Sequence, residues 1–73
     1  MILRQHFINK LRELNYKYKT RQKRTELWRQ AGTGKPMSVP LRDLIDEEFV
    51  AAALRMAGLT AEEVARFIAS CKS

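Results

Sequence analysis

Apolar residues near the start of the chain recur at steps of three and four. Leu3, Phe7, Ile8, Leu11 and Leu14 would form one stripe along a helix. This spacing predicts a helix over residues 2–14. The residue that follows is an asparagine, which tolerates the left-handed backbone conformation and can end a helix.

The pattern then changes to a period of two, which is the repeat of a strand and not of a helix. It predicts a strand over residues 16–22 with one face for packing and one basic face. The packing face would hold Tyr16, Tyr18 and Thr20, and the basic face Lys17, Lys19 and Arg21.

Two further strands are predicted, over residues 25–30 and residues 35–41. The tetrapeptide at residues 31–34 contains two glycines and predicts a hairpin loop between them. Leu27 and Trp28 must point to opposite sides of the first of these strands, and the sequence leaves open which of them points inward. Arg29 would join either the basic face or the sheet edge accordingly.

The last predicted strand alternates apolar and other side chains, with Met37 and Val39 pointing inward. Pro36 and Pro40 have no N–H group to donate, and prolines in a sheet occur mainly on edge strands. We therefore expect this strand at one edge of a three-stranded antiparallel sheet.

Two helices are expected after this sheet. Asp46 is placed to cap the first, and Gly58 is placed to end it. Thr60 and Glu63 have the spacing of a capping box at the start of the second. The predicted fold is α+β in the order α-β-β-β-α-α, with the helices packed on one face of the sheet. We interpret residues 1–73 as a single domain.

The charge is distributed unevenly. Residues 1–42 hold eleven Lys and Arg against two acids, which gives +9, and residues 43–73 hold three against six, which gives −3; the sum is the net charge of +6. A basic half suggests an anionic partner such as nucleic acid, although surface cations can also serve solubility alone.

Other classes of site find no support in the sequence. The single cysteine, Cys71, and the single histidine, His6, do not suggest a disulfide or a metal cluster. The segment around Gly32 and Gly34 lacks the spacing of a phosphate-binding loop. No apolar run approaches the length of a membrane span. We expect a cytoplasmic protein that needs no cofactor or metal and does not bind membranes.

The residues predicted to contact nucleic acid are all cations, and their expected partners are phosphates. The first choices are Lys17, Lys19, Arg21, Lys23 and Arg24, and the second choices are Arg29, Lys35 and Arg42. An exposed Tyr18 or Trp28 beside them would favour single-stranded RNA, since aromatic side chains stack on unpaired bases. The RNA could be duplex or single-stranded, and DNA could compete for the same cations.

Three short strings resemble the HicA toxins of bacterial toxin-antitoxin pairs, which are small basic proteins with a fold similar to double-stranded RNA-binding domains. The strings are Arg21-Gln22-Lys23, Ser38-Val39-Pro40 and Ala57-Gly58-Leu59. The resemblance covers about residues 7–59 and implies a core over residues 1–59, to which the helix over residues 60–73 is an addition. It implies an RNA-directed function, and it also implies an acidic antitoxin-like protein as a partner.

The same resemblance implies RNA cleavage by a histidine in a Gly-Ser-His motif after the Arg-Gln-Lys segment. This chain has Arg24-Thr25-Glu26 there instead, and Arg42 stands where the family often has a second histidine. The sequence therefore does not decide whether the protein is an enzyme. We expect His6 to be an ordinary surface residue. The favoured hypothesis is RNA binding without histidine-dependent cleavage.

Two alternatives belong to other functional classes. The protein could be an interaction module that binds an antitoxin-type partner, or it could form a homodimer through the edge strand that carries Ser38. It could also be an active ribonuclease toxin with non-standard residues, in which Glu26, Lys23 or Arg24 supplies charge stabilisation.

Overall fold

The computed structural model describes residues 1–72 and contains five strands and three helices in that range. In chain order they are β1 (Ile2–Leu3), α1 (Arg4–Glu13), β2 (Tyr16–Arg21), β3 (Thr25–Gln30), β4 (Pro36–Pro40), β5 (Leu44–Ile45), α2 (Glu47–Met56) and α3 (Ala61–Lys72). β2, β3 and β4 form an antiparallel sheet in that spatial order. The predicted α+β fold with a three-stranded antiparallel sheet is confirmed, with β4 at an edge. The helix predicted over residues 60–73 includes Ser73, which lies outside the described residues.

A second, two-stranded sheet was not predicted. Ile2 pairs with Ile45 and Leu3 with Leu44, so β1 and β5 form a short antiparallel ribbon. The first helix consequently begins at Arg4 and not at residue 2, and the Arg4 N–H donates to the Asp43 carbonyl at 2.8 Å. Two residues are too few to show a period-two pattern, so this ribbon could not be predicted from the pattern of apolar residues.

The predicted chain reversals are present. Asn15 ends the first helix with φ 67°, and its N–H donates to the Arg12 carbonyl at 3.0 Å. Gly32 and Gly34 have φ of 89° and 71° in the loop between β3 and β4. These left-handed conformations favour glycine and asparagine because other side chains clash with the backbone there.

The core lies between the helices and one face of the three-stranded sheet. Trp28 points into it and is 4% exposed, whereas Leu27 points to the opposite face and is half-buried. From the helices, Phe7, Leu11 and Leu54 are fully buried in the same core. The inward position of Trp28 puts Arg29, its neighbour along the strand, on the outer face, which settles the choice left open by the sequence.

The junction of α2 and α3 follows the predicted capping pattern. The Leu59 N–H donates to the Leu54 carbonyl at 3.1 Å, across Gly58 with φ 105°. Thr60 Oγ1 accepts from the Glu63 N–H at 3.1 Å, and Glu63 Oε1 accepts from the Thr60 N–H at 3.0 Å. The hydrogen bond from the Thr60 backbone lowers the pKa of the Glu63 carboxyl. Asp46 stands at the N-cap of α2 as predicted, but its side chain forms no capping hydrogen bond.

We expect Thr60→Ala to lower the free energy of unfolding by about 1 kcal/mol, because the Glu63 N–H loses its side-chain acceptor. The measurement is urea unfolding followed by circular dichroism. Thr60→Ser is the matched control and should remain near the wild type, since serine keeps the hydroxyl. Equal loss in both variants would show that the methyl group, and not the cap, matters at this position.

Candidate nucleic-acid interface

The register of β2 against β3 decides where its cations point. Lys17 lies opposite Arg29 and Tyr18 opposite Trp28, but the next pair is Thr20 with Leu27. Lys19 is therefore an extra residue in a β-bulge. Since directly opposed residues of antiparallel strands share a face, the bulge reverses the alternation beyond it.

This bulge corrects the predicted faces of β2. Thr20 was expected to point inward, but it lies opposite Leu27 on the outer face and is exposed. Arg21 was expected to continue the row of Lys17, but it lies opposite Glu26, on the face that carries Trp28. Tyr18 was expected in the core and is instead 49% exposed. The cations of β2 are all exposed, yet they do not form one straight row.

At one end of the sheet, two cations face each other on the outer surface. Lys17 and Arg29 are directly opposed, and both side chains are exposed. Like charges at directly opposed positions destabilise a sheet. The Arg29 guanidinium donates from Nη1 to the Gly34 carbonyl at 3.1 Å, which holds it beside the hairpin loop that contains exposed Lys35. This end of the sheet is therefore strongly positive.

At the other end, three of the predicted cations come together. Lys23 and Arg24 from the β2–β3 turn and Arg42 from the segment after β4 line one cleft of about 590 Å³. Leu44 and Phe49, which are 45% and 40% exposed, form part of its apolar wall. The Phe49 ring packs edge-on against Phe7 at the rim of the core, with 6.3 Å between centroids.

The predicted cations lack carboxylate partners throughout residues 1–72. All eight are exposed, and none takes part in a salt bridge in that range. They are Lys17, Lys19, Arg21, Lys23, Arg24, Arg29, Lys35 and Arg42. Glu26, the acid within the three-stranded sheet, is already engaged by Arg4 and by the Trp28 Nε1–H at 3.2 Å. The positive charge of the sheet is thus free to meet an external anion.

Arg12 belongs to the same region, although it is not among the eight predicted cations. Its guanidinium carbon lies 5.7 Å from the centroid of the Trp28 ring, on the side of the sheet that α1 covers. Arg4, Ile8 and Arg12 follow one another at steps of four, which places them along one side of α1. The spacing of four identifies these residues as one face of the helix, but it does not show which strand lies against that face.

His6 lies apart from these cations. It is half-buried in a groove of about 560 Å³ between α1 and α3, which Phe67 and Cys71 also line. Its Nδ1 is enclosed without a hydrogen-bond partner among the described residues. None of the eight predicted cations lines this groove. Burial raises the pKa of the Cys71 thiol, which favours its neutral form.

Residues 1–72 contain no group of three or more His, Cys, Asp or Glu side chains arranged to hold a metal ion. In the same range, no helix combines the length and the apolar character needed to cross a membrane. Comparison with protein-family models, with characterised proteins and with solved structures gave no match.

Proposed function

We propose that this protein binds RNA, contacting its phosphates through β2, the β2–β3 turn and the neighbouring cations, and that it does so without histidine-dependent cleavage. The supporting observation is the set of eight exposed cations that have no carboxylate partner within the described residues. The directly opposed pair of Lys17 and Arg29 is the clearest part of that set.

The opposed cations Lys17 and Arg29 favour the binding of an anion, because neither has a carboxylate partner among the described residues. Two like charges at directly opposed positions cost stability in the free protein, and a phosphate between them would turn that repulsion into two attractions. The six residues of β3 separate the two basic ends of the sheet by about 17 Å, at about 3.4 Å for each residue. Several successive phosphates of one strand fit along this length.

The choice of RNA over DNA depends on the resemblance to HicA toxins in three short strings. A phosphate-binding surface alone does not distinguish the two nucleic acids, because recognition of RNA requires contacts to the 2′-hydroxyl. The proposal of binding without cleavage is supported by the position of His6, which lies in the groove between α1 and α3 and not among the cations. A general base must reach the proton that it removes.

A protein-binding role is the second candidate. Leu44 and Phe49 expose apolar surface beside Lys23, Arg24 and Arg42 in one cleft, and exposed apolar surface with a charged rim is typical of protein interaction sites. Such a partner would combine apolar side chains with carboxylates, as an acidic antitoxin-like protein does. Apolar contacts persist in moderate salt, whereas phosphate contacts weaken, so salt dependence separates the two candidates.

We expect RNA affinity to fall steeply with salt. Four phosphate contacts give a log-log slope of about −3 to −3.5, and the affinity should drop about 50- to 150-fold between about 50 and 200 mM monovalent salt. The measurement is fluorescence anisotropy with a labelled duplex RNA, a single-stranded RNA and a DNA of the same sequence. A slope near zero for all three would contradict the proposed phosphate contacts, and tighter binding of DNA would contradict the assignment to RNA.

A further inference from the structure

Tyr18 is a large aromatic side chain that remains half in solvent on an otherwise charged strand. It is 49% exposed and lies on the side of the sheet that carries Trp28. The two rings meet edge to face, with centroids 6.1 Å apart and an interplanar angle of 82°. Trp28 supports one side of the tyrosine ring, and the exposed remainder is open to a ligand.

The residues behind Tyr18 hold its support in place. Trp28 is buried, its Nε1–H donates to Glu26 at 3.2 Å, and Arg12 lies over its ring. Glu26 is in turn paired with Arg4 of α1. A ring that packs against a fixed neighbour loses little conformational freedom on binding, which favours stacking of a planar ligand on it.

Two shallow clefts meet at this tyrosine. One is about 490 Å³ and the other about 350 Å³, and Tyr18, Trp28 and Arg12 line both. Lys17 also lines the smaller cleft, and Lys19 is exposed in the bulge on the other side of Tyr18 along the strand. Tyr18 therefore lies next to Lys17 and Lys19 along the edge strand β2, with Arg12 on the helix behind its ring.

We infer that Tyr18, together with Arg12, forms a stacking site for an unpaired base of the bound RNA. Lys17 and Lys19 flank Tyr18 along this edge strand and would contact the phosphates next to that base across the edge of β2. The inference depends on the proposed RNA binding and makes it more specific. The RNA that this protein prefers would contain single-stranded nucleotides.

The position of the aromatic residues supports this choice over stacking on the outer face. At the centre of the outer face the opposed residues are Thr20, Leu27 and Ser38, which offer no ring. Tyr18 also forms no hydrogen bond through its hydroxyl within residues 1–72, so that group is available to the ribose or the base. An acidic peptide would match the cations, but it does not require an exposed ring between them.

The test compares two single-stranded probes of equal length, an oligouridylate and an abasic oligoribonucleotide that keeps the phosphates. We expect the wild type to bind the oligouridylate about fivefold or more tightly, as stacking of one base gives at least such a factor. Tyr18→Leu should remove this preference and leave binding of the abasic probe unchanged. Tyr18→Phe should retain the preference, because the ring remains.

Phe67→Leu is the matched control, since Phe67 is a half-buried ring beside a cation, with Lys10 Nζ 5.8 Å from its centroid, in the groove between α1 and α3 and away from β2. It should keep the wild-type preference. Equal affinity of the wild type for both probes would overturn the stacking site and leave the proposed RNA binding intact, and this result does not depend on any variant folding. Absence of binding to either probe would overturn the proposed function and the stacking site together. Displacement of the oligouridylate by oligoglutamate with the same dependence on Tyr18 would assign the site to an acidic peptide and overturn the base assignment.

Discussion

Replacing Lys17, Lys19 and Arg21 together by glutamate is expected to abolish RNA binding at moderate salt. Loss of three phosphate contacts at about 0.1 M salt removes a factor of about 100 to 500 through counterion release alone. Three new negative charges would then repel the RNA in addition. All three side chains are exposed and none forms a salt bridge within the described part of the chain, so the fold should tolerate the change.

The matched control carries the same change of charge on the helices. Arg55, Arg66 and Lys72 lie on α2 and α3, and their joint replacement by glutamate lowers the net charge equally, although it also breaks the exposed salt bridge between Lys72 and Glu47 at 3.0 Å. We expect this variant to keep most of its RNA affinity. Binding is measured by anisotropy at constant salt, with circular dichroism to verify folding. If both triple variants lose affinity to the same extent, overall charge and not the surface of β2 is responsible, and the assigned site is wrong.

Replacing Glu26 by alanine is expected to destabilise the fold by about 2–3 kcal/mol. Its carboxylate pairs with Arg4 and accepts from the Trp28 indole, and the Glu26 and Arg4 side chains are only 19% and 22% exposed. Removal of one partner leaves a half-buried guanidinium and a buried N–H without their acceptor, and such losses cost more than the interaction contributes. Urea unfolding measures the change.

Glu13→Ala removes an exposed carboxylate from α1 and should change stability by less than about 0.5 kcal/mol. The Glu26 variant also bears on the alternative of an active ribonuclease, in which Glu26 stabilises charge during cleavage. We expect the loss to appear in stability, with RNA affinity of the folded protein retained. An unchanged free energy of unfolding would contradict the structural role, and a stable variant that lost RNA cleavage would favour the catalytic one.

Much of the fold could be predicted because its signals are local. The stripe from Phe7 to Leu11 gave the first helix, and the backbone preferences of Asn15 and Gly58 gave the ends of helices. The capping box at Thr60 and Glu63 depends only on residues three apart, and the structure contains both of its hydrogen bonds. Interactions between residues a few positions apart can be predicted from the sequence itself.

The faces of β2 were harder to predict because they depend on a partner strand. The strict alternation from Tyr16 to Arg21 is genuine in the sequence, yet the bulge at Lys19 reverses it in the structure. A bulge depends on the register of two strands, which one strand does not specify by itself. The ribbon of β1 and β5 was missed for the related reason that its two segments lie more than forty residues apart.

The edge of β4 limits how copies of this sheet can assemble. The Leu41 N–H donates across to the Arg24 carbonyl, so the alternate positions 36, 38 and 40 direct their backbone nitrogen away from β3. Two of these are prolines, which leaves Ser38 with the single outward N–H of that edge. An incoming strand finds almost no donors there, whereas the outer edge of β2 is free. A filament that grows by pairing of sheet edges needs two edges that can accept a strand. Strand addition between copies of this sheet would therefore stop at two copies.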